Sequence, residues 1–144
     1  MPTATAAGKG AELLLDTSAA IALILEDHEA HVAVLDGVRG RRLGLAGHAW
    51  FETYSVLTRL PGGLRRSPAA AQHVLARNFP ASRFLDEGSA VALALELAGL
   101  GIAGGSVYDA LVGAAARQHR RPLLSRDTRA RSTYDALAVR VEVI

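Results

Sequence analysis

The run Leu13-Leu14-Leu15 stops abruptly on Asp16, Thr17 and Ser18 before apolar residues resume. A short apolar run with a polar stop reads as a strand covered on both faces. The pattern returns in "RRLGLAG" (41–47) and "RPLLSRD" (121–127), and an alternating run, "AVRVEVI", closes the chain. Between these runs lie helical stretches: "SAAIALILE", "HEAHVAVLDGV", "HAWFETYSVLTRL" before Pro61-Gly62-Gly63, "PAAAQHVLARNF", "EGSAVALALELAGLG", "SVYDALVGAAARQH" and "TRARSTYDAL". "SRFL" (82–85) reads as one further brief strand. Strands alternating with helices require a largely parallel central sheet with helices on both faces, a three-layer α/β sandwich.

The chain is 144 residues long, enough for one domain with a substantial core. Residues 1–11, small and polar, read as a flexible N-terminus, and 12–144 as the domain. With no cysteine, disulfides, thiolate metal sites and cysteine nucleophiles are excluded, which fits a reducing, cytoplasmic setting. No apolar run reaches the roughly 18 residues of a membrane span, because Asp16 interrupts the best candidate. Net charge is +2, and every basic residue except Lys9 is arginine, the side chain best shaped for phosphate. That composition permits an RNA partner without assigning one.

In open parallel sheets, ligands bind beyond the carboxyl ends of the strands. Asp16 and Asp127 both end strands in this reading, Glu52 lies early in the helix after the second strand, and Asp109 lies in the first turn of "SVYDALVG". Each has a structural alternative. Asp16 and Asp127 are placed to cap helices, Ser106 and Asp109 resemble a capping box, and Glu52 can be an exposed helix acid. As a set, four carboxylates at one edge would repel one another, and a hard divalent cation removes that conflict. Thr17, Ser18 and Ser125 are then candidates to orient the carboxylates from behind.

Asp16 in "LLLDTSAAIAL", Glu52 in "HAWFETYSVLTRLP", Asp109 in "GGSVYDALVGAAA" and Asp127 in "RPLLSRDTRA" resemble the acidic quartet of PIN-domain nucleases, most of all the VapC toxin branch. The resemblance runs from about Glu12 to Ile144. It implies a PIN-like fold and a metal-dependent endoribonuclease. Mg²⁺, or Mn²⁺, would be held by Asp16, Asp109 and Asp127, with Glu52 completing the catalytic acids and orienting the attacking water. It further implies an RNA substrate, a small cognate VapB-like antitoxin, a homodimer and a higher toxin–antitoxin complex. The pair Gly104-Gly105 before Ser106 departs from the pattern.

Other motifs carry less. "GLGIAG" (99–104) matches a dinucleotide fingerprint but follows a helix, where the fingerprint requires a strand. "HEAHV" sets His28 and His31 one residue too close for a zinc-protease motif and reads as a solvated helix face. Trp50, Phe51 and Tyr54 have the spacing of core or dimer contacts. A haloacid-dehalogenase-like phosphatase would need an aspartate where Ser18 stands, and a phosphate receiver a lysine near the end of a late strand. A non-catalytic RNA- or partner-binding module is the remaining alternative, separated from the enzyme by metal-dependent RNA cleavage.

Overall fold

The computed structural model describes residues 10–144. Most of the expected flexible N-terminus, residues 1–9, lies outside them. Four strands, β1 (Glu12–Leu15), β2 (Arg42–Leu45), β3 (Leu123–Ser125) and β4 (Val141–Val143), form one parallel sheet in the order β2-β1-β3-β4. The helices are α1 (Thr17–Ile24), α2 (His31–Val38), α3 (His48–Thr58), α4 (Pro68–Asn78), α5 (Glu87–Glu96), α6 (Ser106–Gln118) and α7 (Arg131–Ala136).

β1 is central, and its three leucines are wholly buried because both faces of the sheet are covered. Strand alternation divides them. Leu13 and Leu15 join Leu45 and Leu124 in a core under α1, α2 and α4, whereas Leu14 and Leu123 join a second core under α6 and α7. The α6 face is built from Ala110, Ala114, Ala115 and Ala116, whose small side chains let the helix lie close to the sheet.

Three expectations need correction. "SRFL" is not a strand: it makes a single parallel bridge, Ala46 with Arg83. The Leu45 N–H bonds to the Ser82 hydroxyl at 2.9 Å instead of to a backbone carbonyl, so the ladder cannot propagate. The second helix starts at His31, not His28; the His28 ring nitrogen accepts from Ala30 N–H, and His31 Nδ1 meets Ala22 O, each at 3.0 Å. These rings are half-buried backbone partners, not a solvated face. Finally, β3 stops at Ser125, so Asp127 stands two residues beyond the strand. "GLGIAG" is the turn that follows α5, as its lack of a preceding strand implied.

The segment after α4 presses against β2. Ala81 N–H bonds to Leu43 O at 2.9 Å, and a Cβ added to Gly44 would lie 2.2 Å from Ala81 O. The atoms that Cβ would meet are all backbone, so none can rotate aside. Gly44→Ala should therefore destabilise the protein toward the upper end of the roughly 1–3 kcal/mol typical of overpacking, read from the midpoint of urea unfolding.

Candidate active site

Every strand of a parallel sheet points the same way, so the residues after β1, β2 and β3 share one edge. Asp16 follows β1 and is 4% exposed. Its Oδ1 accepts the Ala19 N–H at 3.1 Å, capping α1, and the Ser18 hydroxyl at 2.6 Å. Its Oδ2 accepts the phenol of Tyr134, which reaches across from α7 at 2.9 Å. Burial and the adjacent Asp16 charge push the Tyr134 phenol far above its ordinary pKa, so it stays a donor. Gly113 on α6 makes room for that ring: a Cβ there would stand 3.0 Å from Tyr134 Cδ1.

Ser18 and Ser125 tie the strand ends together. The Ser18 oxygen accepts Arg126 N–H at 2.9 Å while donating to Asp16, and the Ser125 oxygen accepts Asp127 N–H at 3.1 Å. Asp127 caps a 3₁₀ turn, Thr128–Ala130, through Arg129 N–H at 2.9 Å, and its other oxygen takes the Arg129 guanidinium at 2.9 Å. The Thr17 hydroxyl is buried and has no hydrogen-bond partner among the described residues.

Glu52 and Asp109 behave differently. Asp109 sits in the first turn of α6, yet α6 has Gly105 at its N-cap and no side-chain cap, which removes the capping-box alternative. Neither acid has a hydrogen bond from the described residues; Glu52 meets only His48 Nε2 at 3.5 Å, one helical turn earlier. Desolvation raises the pKa of Asp109 first, then the charge of Asp127, with Glu52 and Asp16 adding and Arg129 opposing. Desolvation also raises Glu52, opposed by His48 and reinforced by Asp16. The four acids therefore occupy one electrostatic neighbourhood.

The donor set is all oxygen and anionic, which suits a hard divalent cation. The unpartnered Thr17 hydroxyl beside Asp16 is a further oxygen of the same kind. As the side chains stand, no three acids or histidines among the described residues are grouped to share one ion. Asp127 is turned onto Arg129, and Asp16 is held by Tyr134 and Ser18.

Sequence reasoning missed Tyr134, His48 and Arg129. Tyr134 carried no readable signal, since it lies 118 positions from the carboxylate it holds. His48 did, because it precedes Glu52 by four residues on one helix. It also stacks on Tyr108, with ring centroids 5.2 Å apart. Of the three aromatics assigned to core or dimer contacts, Trp50 and Tyr54 pack against the core, and Phe51 is exposed.

The sequence pattern of the PIN domain matches residues 13–136, and the chain belongs to the PIN-domain family. Among curated proteins it is similar to ribonuclease VapC27 of Mycobacterium tuberculosis (strain ATCC 25618 / H37Rv), at 47% identity over 91% of this chain and 96% of that one. It is likewise similar to ribonuclease VapC40 of Mycobacterium tuberculosis (strain CDC 1551 / Oshkosh), at 42% identity over 90% and 96%. Its fold matches the crystal structure of VapBC2 from Rickettsia felis bound to a DNA fragment from their promoter. That match has a TM-score of 0.66 and 11% identity, over 92% of this chain and 98% of that one.

Tyr134→Phe keeps the ring in its slot and deletes the donor to Asp16. A buried hydrogen bond to a charged group contributes about 1.5–3 kcal/mol, and unfolding stability at pH 7 should fall by that amount in denaturant titrations.

Proposed function

We propose that this chain is the toxin of a toxin–antitoxin pair, a divalent-metal-dependent endoribonuclease acting in the cytoplasm. In this reading Asp16, Glu52, Asp109 and Asp127 are the catalytic acids. The observation that carries it is the state of Asp109 and Glu52. Asp16 and Asp127 have structural work as caps; Asp109 and Glu52 are partly desolvated beside other acids and have no capping role. A fold keeps such groups at a cost, which a cationic ligand offsets. The identity to the two VapC ribonucleases supports the same activity. No helix among the described residues is long and apolar enough to cross a membrane.

Asp16, Asp109 and Asp127 would hold the ion, Mg²⁺ or Mn²⁺, and its Lewis acidity would supply charge stabilisation on the phosphodiester and a more acidic water. The chain's own residues prepare the site. Tyr134, Ser18 and Ala19 N–H fix the Asp16 carboxylate from three directions. Glu52, set apart on α3, orients the attacking water. Its raised pKa makes it a better proton acceptor than an ordinary carboxylate. Asp127 would share its carboxylate between Arg129 and the ion, or turn away from Arg129 to bind it.

Within the chain the Arg129 guanidinium already pairs with Asp127, an acid of this edge. A cognate VapB-like antitoxin would bring an arginine to the same carboxylates. Phe51, Val91 and Leu95 are 58%, 56% and 80% exposed, an apolar surface on α3 and α5 for a homodimer and the higher toxin–antitoxin complex. Light scattering at micromolar concentration should return a dimer, and a strictly monomeric protein would remove this part of the reading.

Asp109→Asn tests the core of it. A carboxylate whose pKa is raised by folding binds protons more tightly in the native state. Its contribution to stability is therefore lost as pH rises from the ordinary carboxylate value through the raised one. At pH 7 without metal, the variant should melt at or above the wild-type temperature. Mg²⁺ should raise the wild-type melting temperature and leave the variant's unchanged. Cleavage of total cellular RNA should fall on the order of 10²–10⁴-fold, the several kcal/mol a metal contributes. A folded Asp109→Asn protein with full Mg²⁺-dependent cleavage would falsify the assignment.

A further inference from the structure

The edge of the sheet opposite the acids is lined with arginine. Arg41 precedes β2, Arg121 and Pro122 precede β3, and Arg140 precedes β4, while Glu12 opens β1. With Arg120 and Glu142 they line a cavity of about 410 Å³. The ion pairs here use only part of the positive charge. Glu12 Oε1 takes Arg83 at 2.8 Å and Arg121 at 3.0 Å, and Glu142 takes both ends of the Arg41 fork at 2.7 Å. Both carboxylates are held below their ordinary pKa, chiefly by these arginine hydrogen bonds, so both are ionised at neutral pH.

Four arginines against two glutamates leave the cavity lining a surplus of two positive charges, and Arg83, which reaches Glu12 from outside the lining, adds a third to the cluster. Arg120 and Arg140, both exposed, make no ion pair and no side-chain hydrogen bond among the described residues, although the Arg140 charge adds to that of Arg41 in holding Glu142 ionised. The Nε atoms of Arg41 and Arg83 are buried and unpartnered. Arg120 also stands in the left-handed region, φ 54°, at the turn closing α6, a position that favours glycine. A network that served only to staple strands would need neither Arg120 nor Arg140.

We infer that this cavity is a second nucleic-acid contact, in which Arg120 and Arg140 bind backbone phosphates of the RNA whose cleavage occurs at the opposite edge. The inference rests on the ribonuclease reading for its choice of RNA. Guanidinium forks match phosphate oxygens, and the cavity has room for more than one phosphate. Four strand residues separate the two edges, about 13 Å at 3.3 Å per residue through the buried sheet, so an RNA that touches both runs around the outside of the sandwich. The acids repel phosphates, Arg129 beside them offsets part of that repulsion, and this edge adds further attraction.

The test is fluorescence anisotropy with a labelled RNA hairpin in EDTA, which prevents cleavage, across a series of salt concentrations. It compares wild type with the double variant Arg120→Ala and Arg140→Ala. Both residues are exposed and unpaired, and thermal melts confirm folding. Affinity should fall at least tenfold near 0.1 M salt. The slope of log K against log salt should drop by about 1.4–1.8, the value of two phosphate contacts. Unchanged affinity and slope would overturn the inference. So would wild-type binding of pyrophosphate at this edge with no change in the variant's RNA slope, which would make it a small-anion site. Cleavage is read separately with Mg²⁺. Wild-type protein that shows the full salt slope but never cuts RNA would remove the ribonuclease reading and leave the phosphate contact standing.

Discussion

The hydrogen bond from Tyr134 to Asp16 joins the first strand to the last helix, and the acidic edge is arranged around it. A carboxylate 4% exposed is costly unless its oxygens are satisfied. Here two hydroxyls and a backbone N–H do so, and in doing so they fix the orientation of the group. Ser18 transmits that order to the neighbouring loop through Arg126 N–H, and Ser125 to Asp127. Asp109 and Glu52, with no such support, are left to respond to whatever charge enters the edge.

Parallel pairing has an electrostatic consequence that antiparallel pairing would not. All the strands start on one side and end on the other, so residue types placed before and after strands are sorted spatially. In this chain arginines precede β2, β3 and β4, and acids follow β1 and β3. The sorting is partial, since Arg126, Arg129 and Arg131 follow β3 beside the acids and Glu12 and Glu142 stand among the arginines.

The sequence makes the sheet legible because each buried strand is a short apolar run with a polar stop, and Asp16, Glu52, Asp109 and Asp127 could be read from their positions relative to those runs. What it hides is long-range. "SRFL" has strand-like composition, but its pairing fails where the Ser82 hydroxyl takes the place of a carbonyl, a choice only the neighbouring β2 backbone reveals. Tyr134 looks like one more core aromatic until the fold brings it to Asp16. The capping alternatives for Asp16 and Asp109 were indistinguishable in sequence. In the structure Asp16 caps a helix as well as joining the edge, whereas Asp109 caps nothing.

The 118 residues between Asp16 and Tyr134 also impose an order in time. β1 can pair with β2 early, yet its other neighbour, β3, lies more than a hundred residues downstream. A ribosome adding about 5–20 residues per second needs on the order of ten seconds to pass from one partner of the hydrogen bond to the other. Until it has done so, the nascent chain holds an unanchored Asp16 and half a sheet. The acidic edge is thus among the last parts of the molecule to be completed, and a chain that ends before Tyr134 lacks the donor that fixes Asp16.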